Sequence, residues 1–67
     1  MYYELNVSHS GKHFFATDRR SLTDIDKAMA MFELFKMLFT PTEGYVVSLY
    51  RWETLGTIID TTNKEKP

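Results

Sequence analysis

Asp24-Ile-Asp-Lys-Ala-Met-Ala-Met-Phe-Glu-Leu-Phe-Lys-Met-Leu-Phe39 carries the strongest periodic signal in the chain. At 100° per residue, Ile25, Ala28, Met31, Phe32, Phe35, Leu38 and Phe39 fall on one wide apolar face. Asp26, Lys27, Glu33 and Lys36 fall mostly off it. This spacing predicts an amphipathic helix from Asp24 to about Phe39, roughly 24 Å long at ~1.5 Å per residue. Thr23, with Asp26 three residues on, reads as its N-cap in a variant of the capping box; Ser21 with Asp24 competes. Asp24 and Asp26 also suit the positive end of the helix dipole. Pro41 and Gly44 end the helix.

Outward from the helix, both flanks read as strands. Tyr2 to Ser8 alternates, with Tyr3, Leu5 and Val7 on one face and Tyr2, Glu4, Asn6 and Ser8 on the other. Ser8-His9-Ser10-Gly11 is turn chemistry, and Lys12 to Thr17 reads as the hairpin partner. On the far side, Tyr45 to Trp52 is rich in β-branched and aromatic residues. Glu53 to Gly56 reads as a turn and Thr57 to Thr61 as a short fourth strand. The expectation is an α+β fold, ββαββ. Short connections give one antiparallel four-stranded sheet of order 2-1-3-4 with a single helix packed on one face. Residues 1–62 form the one domain, and Asn63 to Pro67 is a solvated tail.

Composition narrows the function. At 67 residues, 43% hydrophobic and 15% aromatic, the chain has enough apolar material for a core. It has no cysteine, hence no disulfide or thiolate zinc site, which fits a reducing cytoplasm. Self-association is a natural further source of stability for so small a domain. Eight basic and nine acidic residues leave a net charge of −1, which offers nucleic acid or an anionic membrane no global attraction. No apolar run approaches a membrane span, and the start, Met-Tyr-Tyr-Glu, carries no signal-peptide core, so no export is expected.

Catalysis finds no foothold. His9 and His13 are four apart, but across a turn rather than along a helix, so they form no helical metal pair. There is no Gly-x-Ser-x-Gly elbow and no glycine-rich phosphate loop. Neither an enzyme activity, a metal nor a cofactor is expected.

Three surface groups remain. With one helix for two sheet faces, one face stays open, so Tyr2, Glu4, Tyr45, Tyr50, Arg51 and Trp52 are the candidates for partner binding; Tyr, Trp and Arg anchor protein interfaces. Alternation divides the third strand into Tyr45, Val47, Leu49, Arg51 and Val46, Ser48, Tyr50, Trp52. Arg51 argues that the first set faces outward, and Ser48 argues the reverse. Ala30, Leu34 and Met37, at i, i+4 and i+7 opposite the main helix face, are a candidate dimer or second interface. Lys12, Arg19 and Arg20 are candidate contacts for phosphate or an acidic surface.

Gly44-Tyr45-Val46-Val47-Ser48-Leu49-Tyr50-Arg51 resembles the Gly-Phe-x-Val-Thr-x-x-Arg segment that follows the helix in the podovirus inhibitor of host RNA polymerase. More broadly, the chain resembles small phage-encoded proteins of host takeover and anti-defence. The resemblance implies a non-catalytic inhibitor that occludes a bacterial host protein, a defence complex or RNA polymerase, in the host cytoplasm. It implies that Arg51 would contact an acidic surface. The alternatives are a homodimer that sequesters a nucleotide signal or nucleic acid, and a structural or assembly subunit.

Overall fold

The computed structural model describes residues 1–18 and 22–62. The elements follow in the order β1 (Tyr2–His9), β2 (Lys12–Ala16), α1 (Ile25–Leu38), a 3₁₀ turn (Pro41–Glu43), β3 (Tyr45–Trp52) and β4 (Gly56–Thr61). The four strands form one antiparallel sheet of order β2-β1-β3-β4, so the fold is α+β.

The alternation of β1 is what divides the sheet into two faces. Tyr3, Leu5 and Val7 are buried, while Tyr2, Glu4, Asn6 and Ser8 are half-buried. In register, Leu5 opposes Leu49 and Val7 opposes Val47, which puts the two apolar rows side by side under the helix. α1 lies over β1 and β3, the central strands. Ala28 and Phe32 are its fully buried residues; the small Ala28 lets the helix approach the sheet, and Phe32 fills the space between. Met29, Met31, Phe35 and Phe39 pack around them.

The β1–β2 connection is a two-residue loop. Ser10 (φ 52°) and Gly11 (φ 82°) both take positive φ, the signature of a type I′ turn whose twist suits a hairpin. β2 covers only the second half of β1. The first half is completed by the chain that follows: Thr17 N donates to the Leu5 carbonyl (3.0 Å), Leu5 N to Thr17 Oγ1 (3.0 Å), and Tyr3 N to the Leu22 carbonyl (2.7 Å). These bonds continue the pairing of β1 past the end of β2, and Leu22 is drawn into the core.

Three details of capping, burial and pairing differ from the sequence reading. The helix is capped by Asp24, whose side chain accepts from Asp26 N (3.3 Å), one residue after the expected Thr23; Ser21, the competing cap, lies outside the described residues. An Asx-type cap needs an oxygen two or three residues before the first free N–H, and Asp24 reaches it with a carboxylate. Second, Ile25 and Leu38, expected on the buried face, are 40% and 59% exposed. Coverage at the helix ends is uneven: Phe39, at the C-cap, packs on Phe15 of β2 and Tyr45 of β3, while Ile25 and Leu38 stay outside the core. Third, a bulge skips Phe14: Val7 pairs with Phe15 and Ser8 with His13. Phe14 and Phe15 therefore both contact the helix-side ring of Phe39, at 6.2 and 5.6 Å between centroids. The tail residues 63–67 lie outside the described residues.

Candidate functional site: the uncovered sheet face

Register decides which residues share the face away from the helix. Tyr2 pairs with Trp52, Glu4 with Tyr50, Asn6 with Ser48 and Ser8 with Val46. Since Tyr2, Glu4, Asn6 and Ser8 alternate with the buried row, their partners lie on the outer face with them. Arg51's row, with Val47 and Leu49 buried, is the helix-side row, and the argument from arginine to the outer face is overturned. Arg51 tolerates that row because it is exposed and pairs with Glu53 (3.2 Å). The argument from Ser48 points the right way: its hydroxyl is 2.8 Å from Thr61 Oγ1 across β3 and β4.

The outer face is paved with rings. Trp52 stacks beside Tyr2 (6.3 Å, 16° between planes) and beside Tyr50 (6.3 Å, 24°). Its indole Nε1 donates to Glu4 Oε1 (3.1 Å) on β1. Its six-membered ring covers Gly56 on β4, where a Cβ would stand 2.6–2.8 Å from three ring carbons. The indole thus lies across the sheet from β1 to β4, held at both ends. The rings of Tyr2, across on β1, and Tyr50, two residues back on β3, run nearly parallel to it, and all three residues are half-buried. Ile58, opposite Tyr50 on β4, extends the apolar strip and is 51% exposed. Leu55, in the preceding turn, is 78% exposed.

Of the six partner-binding candidates, Tyr2, Glu4, Tyr50 and Trp52 come together. Tyr45 does not: it lies on the helix side, in ring contact with His9 (4.5 Å), Phe39 (5.2 Å) and Phe14 (5.9 Å). Arg51 is on the same side as Tyr45. His9, in turn, donates from Nε2 to the Glu43 carbonyl (3.1 Å), a link between β1 and the 3₁₀ turn. Ala30, Leu34 and Met37 are exposed on the helix, and Leu38 joins them one turn on from Leu34. Lys12 is exposed at the hairpin, at the end of β1 away from Tyr2. Arg19 and Arg20 lie outside the described residues.

Sequence reading missed Gly56 and Ile58. Gly56 reads as a turn glycine, and nothing in a single chain says that an aromatic four residues earlier will lie over it. Among the described residues, no helix is long and apolar enough to cross a membrane. Compared with known proteins, the chain matches no family model, and neither a curated protein nor a solved structure shows significant similarity to it.

Proposed function

We propose that this chain is a non-catalytic binding module that sets Tyr2, Tyr50 and Trp52 against another protein. Following the resemblance of its Gly44–Arg51 segment, it acts as a phage-type inhibitor that occludes a bacterial host protein. The supporting observation is the aromatic pavement on a sheet face that no described element covers. Large amphipathic rings that cost little conformational entropy on binding are what interfaces concentrate.

Four strands ~4.8 Å apart and about six residues long at ~3.3 Å each offer roughly 400 Å². A standard interface uses about 800 Å² per partner, so the contact extends over the rim, where Leu55 and Ile58 are exposed. Within the host-protein reading, an acidic polymerase surface loses the contact that the resemblance implied. The polymerase target depends on Arg51, which faces the other side and is paired with Glu53.

The test begins with the immobilised chain and bacterial lysate. One dominant protein should be retained, and the purified partner should bind Tyr50→Ser far more weakly than the unaltered chain while the melting temperature is nearly kept. Retention of that partner by Tyr50→Ser at unchanged affinity defeats the proposal.

A second reading concerns self-association. Leu34, Met37 and Leu38, 45%, 76% and 59% exposed, form one apolar patch on α1. Two such patches meeting about a two-fold axis would make a dimer that leaves both sheet faces free.

A further inference from the structure

The chemistry of the outer face is more specific than its apolar area. Three near-parallel, half-buried rings line this face, and the faces of aromatic rings carry negative quadrupole potential. At the edge of the pavement stands one carboxylate. Trp52 Nε1 holds Glu4 Oε1, and among the described residues Oε2 has no partner. The described lysine and arginine side chains are elsewhere. Arg51 is on the helix side with Glu53, and Lys36 sits over Phe32, 5.0 Å from its centroid, and pairs with Glu33 (2.9 Å). Lys27 is exposed on the helix, and Lys12 is at the opposite end of β1.

We infer that Tyr2, Trp52, Tyr50 and Glu4 form a seat for an arginine side chain of the partner. The guanidinium stacks on the pavement while its N–H groups meet the free oxygen of Glu4. This deepens the proposed function and rests on the sheet face being the contact surface. Arginine is the occupant that meets both demands. It is flat, so it stacks on a ring, and it carries a fixed fork of donors for a carboxylate. Nucleic acid would also stack, but its phosphates meet Glu4, and among the described side chains no lysine or arginine lies on the aromatic end of the face to offset the repulsion. A second copy of the face supplies no lysine or arginine from its own pavement to meet Glu4.

The experiment uses the ¹⁵N-labelled full chain and capped peptides of one sequence, Gly-X-Gly-X-Gly, with X arginine, citrulline or glutamate. Citrulline keeps the planar head group and removes the charge. The arginine peptide should shift the Trp52 indole N–H and the Gly56 amide saturably in the millimolar range, with citrulline at least about tenfold weaker and glutamate silent. Glu4→Gln keeps an oxygen for Trp52 Nε1, so the rings stay in place while the arginine response falls about tenfold.

Equal response to citrulline, no movement at Trp52, or shifts confined to Glu33 and the acidic first turn of α1 would overturn the inference. If the partner loses affinity for Tyr50→Ser but binds Glu4→Gln as well as the unaltered chain, the arginine seat is wrong and the contact surface stands. If it binds Tyr50→Ser unchanged, both fall.

Discussion

The indole of Trp52 occupies the space that a side chain on Gly56 would need: a Cβ there would lie 2.6 Å from the ring. A strand glycine is normally a weakness, since it leaves a hole in the face and costs backbone entropy. Here a neighbouring strand's aromatic fills the hole, and the same ring is tied to Glu4 on the other side. The pairing ties β1, β3 and β4 together and fixes the plane on which the proposed partner docks.

Gly56→Ala should therefore lift Trp52 off the sheet. Gly56 does not have a positive φ, so alanine brings no backbone strain and the effect isolates the ring contact. A loss of about 1–2 kcal/mol is expected in urea unfolding, with a red-shifted indole emission. In Trp52→Leu the same glycine change should cost much less, a coupling that a double-mutant cycle reads directly.

The helix face can be tested by contrast. Phe32→Ala removes a fully buried ring and should cost about 3–5 kcal/mol, enough to unfold much of so small a domain at room temperature. Leu38→Ala, on the same face by sequence periodicity, should stay within about 0.5 kcal/mol because Leu38 is 59% exposed. Circular dichroism melts of the two variants decide it; equal losses would place Leu38 in the core.

Capping separates two adjacent residues. Asp24→Ala should lower stability by about 1 kcal/mol, and Thr23→Ala by a few tenths, since only Asp24 receives the Asp26 N–H. Chemical denaturation would show the reverse order if Thr23 were the cap.

The hairpin turn makes a prediction of opposite signs. Gly11 has φ 82° with open space around its Cβ position, so Gly11→Ala should lose about 1 kcal/mol through backbone strain alone. Ser10, also at positive φ, is a residue type less suited to that region than asparagine. Ser10→Asn should raise the melting temperature modestly; a fall would show that Ser10's own contacts outweigh the turn preference.

If the apolar patch on α1 mediates a dimer, Leu34→Ser with Met37→Ser should convert it to monomer on a sizing column and leave the melting curve of the monomer unchanged. A monomer before substitution would remove the second reading.

Element order and sheet topology were legible because they depend on local periodicity. β1 alternates without exception, β3 is dense in β-branched and aromatic residues, and the one helical stripe lies between two hairpins. Short connections then leave few ways to order four strands. The site was legible only in part. Tyr2 and Glu4 followed from the alternation of β1, whereas the choice between the two rows of β3 rested on single residues. There Arg51 misled, since an arginine at a strand end can be exposed on either face.

The sequence by itself determined which residues alternate, where the chain turns and that one helix must cover a four-stranded sheet. Those are short-range matters of period and turn chemistry, carried by neighbours along the chain. Only the tertiary structure decided that Trp52 lies over Gly56 and reaches Glu4, and that Phe14 and Phe15 bulge to the same side. Each of these depends on inter-strand register, and a shift of one residue between strands exchanges the faces of a sheet while leaving every local pattern intact.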